Sequence, residues 1–100
     1  MFIYNITIKI DKNIINEWLE WQLQEHIPEI MQTQLFNDYK FFRLLEQDEA
    51  DGPTYIVQYF TDDISKYHEY LKTYAPALRD KAIKRWRDRF IAFRTLMETV

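Results

Sequence analysis

The chain is 100 residues long, 47% hydrophobic and 17% aromatic, with a net charge of −3 and no cysteine. That length accommodates one core, so a single domain over residues 1–100 is expected. The lack of cysteine excludes disulfides, thiolate catalysis and zinc-ribbon sites, and the acidic balance argues against a dedicated nucleic-acid partner.

Residues 2–10 alternate, with Phe2, Tyr4, Ile6, Ile8 and Ile10 on one side and Ile3, Asn5, Thr7 and Lys9 on the other. Period two with β-branched residues predicts a strand. The same N-terminus lacks the basic start, long apolar stretch and small-residue cleavage site of a secretory signal. No apolar run approaches the roughly 20 residues of a membrane helix, so the expected location is cytoplasmic and away from the membrane. Asn13 is placed to cap a helix from Ile14, with Ile15, Leu19, Leu23 and Ile30 as its core stripe. Pro28 biases Ile27 away from helical geometry, which predicts a kink or break there.

Residues 39–47 and 54–61 read as strands joined through the acidic turn Glu46-Gln47-Asp48-Glu49-Ala50-Asp51-Gly52-Pro53. Thr61 or Asp62 is the expected cap of a second helix, with Asp63 favourably placed for its dipole. That helix carries Ile64, Tyr67, Leu71, Tyr74, Leu78, Ala82 and Trp86, and Pro76 should kink or divide it near Tyr74. Residues 89–98 form the last strand. The order is βαββαβ, an α+β ferredoxin-like pattern: a four-stranded antiparallel sheet with two helices on one face.

In that pattern the strands lie in the order fourth, first, third, second. Parity then predicts that Tyr4, Ile6, Ile8, Phe42, Leu44, Tyr55, Val57, Tyr59, Ile91, Phe93 and Met97 meet the helices. The bare face would carry Ile3, Thr7, Phe41, Leu45, Ile56, Phe60, Ala92 and Leu96, crossed by a polar belt of Asn5, Arg43, Gln58 and Arg94. So much apolar surface exceeds what a monomer leaves in water. Two such sheets packed face to face give a homodimer, a dimeric α/β barrel.

Several segments carry a further likeness: Tyr4-Asn5-Ile6-Thr7, Trp18-Leu19-Glu20-Trp21, His26-Ile27-Pro28-Glu29, Gln58-Tyr59-Phe60, Tyr74-Ala75-Pro76-Ala77-Leu78 and Arg89-Phe90-Ile91-Ala92-Phe93-Arg94-Thr95. Through them the chain resembles, over nearly its whole length, a family of small uncharacterised bacterial proteins known as a domain of unknown function. That family looks like a member of the dimeric α+β barrel group, which includes cofactor-free monooxygenases, haem-degrading enzymes and stress-response proteins. The resemblance implies the fold and a homodimer, and no reaction. Its relatives carry glycine near positions 34 and 87, where this chain has Gln34 and Arg87.

Among candidate residues, His26 alone has an obvious catalytic chemotype, as a general base. The structural reading leads, a core-facing histidine satisfied beside the Pro28 break. His26 and His68 lack metal-ligand spacing, so no metal and no cofactor is expected. Trp18 and Trp21, with Ile14, form a second apolar stripe, read as a rim shared between core and subunit contact or as a wall for a ligand. In the belt, Arg43 and Arg94 with Asn5 and Gln58 suit either an interface or a small organic anion. The basic run Arg79, Lys81, Lys84, Arg85, Arg87 and Arg89 is interrupted by Asp80 and Asp88 and reads first as a solvated face. The expected function is therefore a homodimeric barrel binding a small anionic ligand in the cleft between its sheets. The alternative is a small cofactor-independent oxygenase or isomerase using His26 with Arg43 or Arg94.

Overall fold

The computed structural model describes residues 1–100. Strands β1 (Phe2–Ile10), β2 (Asp38–Arg43), β3 (Thr54–Thr61) and β4 (Phe90–Glu98) form one antiparallel sheet in the order β2-β3-β1-β4. This is the order the βαββαβ pattern predicts, and the fold is ferredoxin-like. β1 and β3 match their predicted limits. β2 is shorter than expected because Glu46 takes a left-handed φ of 58° and turns the chain away, leaving Leu44 to add one last bond to the Thr54 carbonyl.

The first helical arm is α1 (Ile15–Trp21), a wider π-turn over Gln22–His26, and α2 (Ile27–Met31). A short turn at Lys12–Ile14 precedes it, capped by Asp11 rather than Asn13: the Asp11 carboxylate accepts from the Asn13 N–H at 2.8 Å. Pro28 does not break the arm, and Ile27 keeps helical angles of −60° and −46°. A proline ring clashes with the carbonyl four residues back, at Gln24. The backbone widens instead, so that the Ile27 N–H donates to the Gln22 carbonyl, five residues back. The buried stripe is Ile14, Trp18, Gln22, Ile27 and Ile30, one position before the expected one, and the extra residue appears as its five-residue step from Gln22 to Ile27; the expected core residue Leu23 is exposed.

The second arm is α3 (Ile64–Thr73) and α4 (Ala75–Trp86), divided at Tyr74 as Pro76 predicts. Its cap is Asp63, which accepts from the Ser65 N–H at 2.9 Å, while Thr61 is buried in β3. Tyr4, Ile6, Ile8 and Ile10 of β1 and Tyr55, Val57 and Tyr59 of β3 pack with both arms into one core, with Tyr4 surrounded by Phe36, Tyr59, Tyr67 and Tyr70. Trp18 is 1% exposed in this core, not on a rim. Its helix turned inward by one position relative to the expected stripe.

The ladder corrects the faces of two strands. Ile6 pairs with Arg94 and Ile8 with Ala92, while Tyr59 pairs with Tyr39 and Tyr55 with Arg43. Partners across a ladder share a face. Tyr39, Phe41 and Arg43 of β2, and Phe90, Ala92, Arg94 and Leu96 of β4, therefore lie on the helix side. The expectation had both strands the other way round. The bare face instead carries Phe42 on β2 and Ile91, Phe93, Thr95 and Met97 on β4. A polar belt exists, but it reads Thr95–Asn5–Gln58–Lys40. Its core is a hydrogen bond from the Gln58 amide to the Asn5 carbonyl oxygen at 3.2 Å. One apolar row beside it is Phe93–Thr7–Ile56–Phe42, and the other holds Met97, Ile3 and Phe60.

Gln34 and Arg87 have φ of 63° and 56°. Both are left-handed positions, where a side chain costs about 1 kcal/mol relative to glycine.

Candidate functional site

The enclosed space lies on the helix side of the sheet, not on the bare face. It is a cleft with a cavity volume of about 40 Å³ that opens to solvent. Ile6, Ile8, Val57, Tyr59 and Ala92 of the sheet form its floor, the first arm supplies Trp18, Trp21, Gln22 and His26, and the second supplies Ala82 and Trp86. Arg94 lines it from β4, an edge strand with exposed residues. All three tryptophans of the chain line this one cleft.

The π-turn is what brings the polar groups there. It begins at Gln22 and ends at His26, and both line the cleft. The His26 ring stacks on Trp21 at 4.5 Å with 17° between planes, and Trp21 meets Trp86 edge-on at 5.7 Å. Arg85 covers Trp86 from outside, 4.0 Å from the ring centre. Two buried side-chain atoms in the chain have no protein hydrogen-bond partner: Gln22 Oε1 and Trp86 Nε1. Both residues are 3% exposed and line the cleft. A buried polar atom without a partner costs about 1–3 kcal/mol, so two in one place mark a site made for a polar guest.

Burial holds the half-buried His26 imidazole down to about 4, with Lys81 and Arg94 opposing a further positive charge and Glu29 favouring it. His26 is therefore neutral at pH 7. A base whose folded value is depressed costs nothing above its ordinary 6.5 and destabilises the fold as pH falls from there towards 4. Across that window the loss should approach about 3 kcal/mol. Urea melts of wild type and His26→Gln at neutral pH and near pH 4 test this. The wild type should lose more stability than the variant, and parallel losses would remove His26 from the account.

The other predicted residues disperse. Asn5 and Gln58 stay on the bare face. Arg43 pairs with Glu49 at 2.5 Å across the hairpin and does not line the cleft. It therefore shares no site with His26, and the pairing expected of those two fails. Within the basic run, Arg79 donates to the Tyr4 hydroxyl at 3.0 Å, and Lys81, Lys84 and Arg89 pair with Glu29, Asp80 and Asp11. Those cations are engaged within the chain. Gln22 and Trp86 were not singled out from the sequence as site residues. The signal for Gln22 was its place four residues after Trp18, in line with Ile14 and Trp18.

A family model described as a domain of unknown function, DUF4286, matches residues 1–100. Among solved structures, the chain is similar to an EthD-family protein from Bacillus halodurans, with 15% identity, full coverage of both chains and a TM-score of 0.74. It is also similar to SnoaB, a cofactor-independent oxygenase from Streptomyces nogalater, with 9% identity, coverage of 98% and 92%, and a TM-score of 0.70. A dimeric ferredoxin-like protein from an uncultured marine organism shares 10% identity over 99% and 94% of the chains, with a TM-score of 0.64. At these identities the likeness concerns the fold. No curated protein matches the sequence.

Proposed function

The chain belongs to the DUF4286 family, a domain of unknown function, and on that premise we propose a homodimeric barrel protein that binds a small organic anion between its sheet and its helices. The observation that carries the binding is the pair of unpartnered atoms, Gln22 Oε1 and Trp86 Nε1, in a cleft that also holds Arg94. Arg94 supplies the countercharge. Its exposed position lets the anion keep part of its hydration, which limits the desolvation cost. This moves the ligand from the cleft between two sheets to a cleft within each subunit.

The homodimer is supported by the bare face, where Phe93 and Ile91 are 65% and 57% exposed beside Ile56 and Phe42. Solved proteins of similar fold are described as dimeric. The chain would act as a single domain in the cytoplasm, in keeping with its lack of cysteine. No helix is long and apolar enough to cross a membrane.

Tryptophan fluorescence is a direct readout, since every tryptophan lines the cleft. Titration with small carboxylates at pH 7 should change it saturably, and Arg94→Gln should weaken binding roughly 10–100-fold, the worth of a charge-assisted hydrogen bond. An unchanged affinity in that variant would sink Arg94's role.

One observation favours a catalytic second reading: neutral His26 shares the cleft with Arg94, and a neutral imidazole can take a proton. A base held near 4 is weak at neutral pH, so binding ranks first. The fold likeness to a cofactor-independent oxygenase adds no residue to this reading.

A further inference from the structure

We infer that the guest is a short aliphatic hydroxy-carboxylate, whose carboxylate sits at Arg94 and whose hydroxyl sits at Gln22 and Trp86. This rests on the reading of the cleft as an anion site and specifies its chemistry.

The polar groups of the cleft divide by burial. Arg94 is exposed on an edge strand, whereas Gln22 and Trp86 are 3% exposed each. A carboxylate placed among neutral donors at the inner end would lose its water without gaining a countercharge. It therefore belongs at the outer end. The inner end calls for a neutral group. Trp86 Nε1 can only donate, so that group must accept. The unpartnered Gln22 atom is Oε1, which only accepts, so a hydroxyl that accepts from Trp86 and donates to Gln22 satisfies both, whereas a carbonyl satisfies Trp86 alone. A carboxylate with a plain hydrocarbon chain would leave both inner groups unpaired.

Size decides the rest. The enclosed volume is about 40 Å³, whereas an apolar cavity that takes up benzene measures about 150 Å³. Scaled from that cavity, the space admits about one or two heavy atoms, such as a hydroxyl and its carbon, and excludes an aromatic ring. The aliphatic walls from Ile6, Ile8, Val57 and Ala92 suit such a chain.

The test is calorimetric titration of the intact protein at neutral pH with pyruvate, lactate, propionate and benzoate. Lactate should bind about tenfold more tightly than propionate, with pyruvate between them, the discrimination expected when a buried hydrogen-bonding pair is left empty by the poorer ligand. Trp86→Phe, which keeps the ring and removes the N–H, should erase that preference and leave propionate unchanged, and Gln22→Leu should reduce it. Equal affinity for the three aliphatic acids overturns this inference and leaves the anion site standing. A preference that survives both substitutions overturns the assignment to Gln22 and Trp86. Benzoate as the tightest ligand overturns the size argument. If none of the four binds, the anion site falls and this inference with it. Should either variant fail to fold, the wild-type order of affinities still decides.

Discussion

Phe93→Asp is expected to turn the protein into a monomer. Phe93 sits mid-strand on the bare face, 65% exposed in the isolated chain, in one row with Thr7, Ile56 and Phe42. Burying such a ring contributes about 2 kcal/mol, and a two-fold interface counts it twice. An aspartate there must also lose water, which costs several kcal/mol more, and the partly exposed Lys9, diagonal to it on the same face, offsets only part of this. Lys40 is the one basic member of the neighbouring polar row, and it lies over the Phe60 ring at the far side of the sheet from β4. The sum exceeds about 5 kcal/mol, a shift of more than about a thousandfold in dissociation constant. Light scattering at micromolar concentration should show a wild-type dimer and a folded variant monomer. Lys72→Asp, on the exposed outer side of α3, is the control and should stay dimeric. A dimeric Phe93→Asp, or a monomeric wild type, would end the case for this face.

The second large effect is on folding. Gly52 has a φ of 147°, and a Cβ placed on it would lie 1.8 Å from the Ile10 carbonyl oxygen and 2.9 Å from the Lys12 nitrogen. Both obstacles are backbone, and both are held in place. Ile10 donates to the Pro53 carbonyl at 3.0 Å, and Lys12 to the Asp51 carbonyl at 3.1 Å. No side chain can swing aside to make room. Gly52→Ala should therefore cost about 4 kcal/mol, combining the forbidden φ with the displaced strap. For a chain of this size, that is a fall of roughly 15–30 °C in melting temperature. Thermal melts followed by far-ultraviolet circular dichroism measure it, and a variant melting within a few degrees of wild type would contradict the geometry.

The two large predictions differ in what made them legible. Gly52 is the only glycine in the chain, within an acidic turn followed by proline, so the sequence marks the bend but not the carbonyl pressed against it. The bare face was legible as an excess of apolar residues. Which residues compose it was not. On β4, one parity holds Phe90, Ala92, Arg94 and Leu96, and the other holds Ile91, Phe93, Thr95 and Met97. Both read as a core face. Where a sheet is apolar on both sides, alternation loses its sign, and a one-residue error in facing moves every side chain across. That is how Arg94 came to be placed in the belt, and why the belt contains Thr95 and Lys40 instead.

The cleft was hidden for a related reason. Helical spacing fits two neighbouring stripes, Ile15–Leu19–Leu23 and Ile14–Trp18–Gln22, and the fold buries the second, exposing Leu23 and burying Gln22. Proline at position 28 signals a disturbance in the helix. Whether the backbone breaks, kinks or widens depends on what packs against it, and here Trp18 before the turn and Ile27 and Ile30 after it are all buried.

The element order and the surplus of apolar surface beyond one core were legible in the residues, because they follow from local periodicity and turn chemistry, and the βαββαβ pattern then implied the strand order. Only the tertiary structure decided the facing of β2 and β4, and with it the move of Arg94 from the bare face to a cleft shared with His26, Gln22 and Trp86. Facing is set by long-range ladder pairing and by how the helices close on the sheet, and neither is encoded in the spacing of neighbours along the chain.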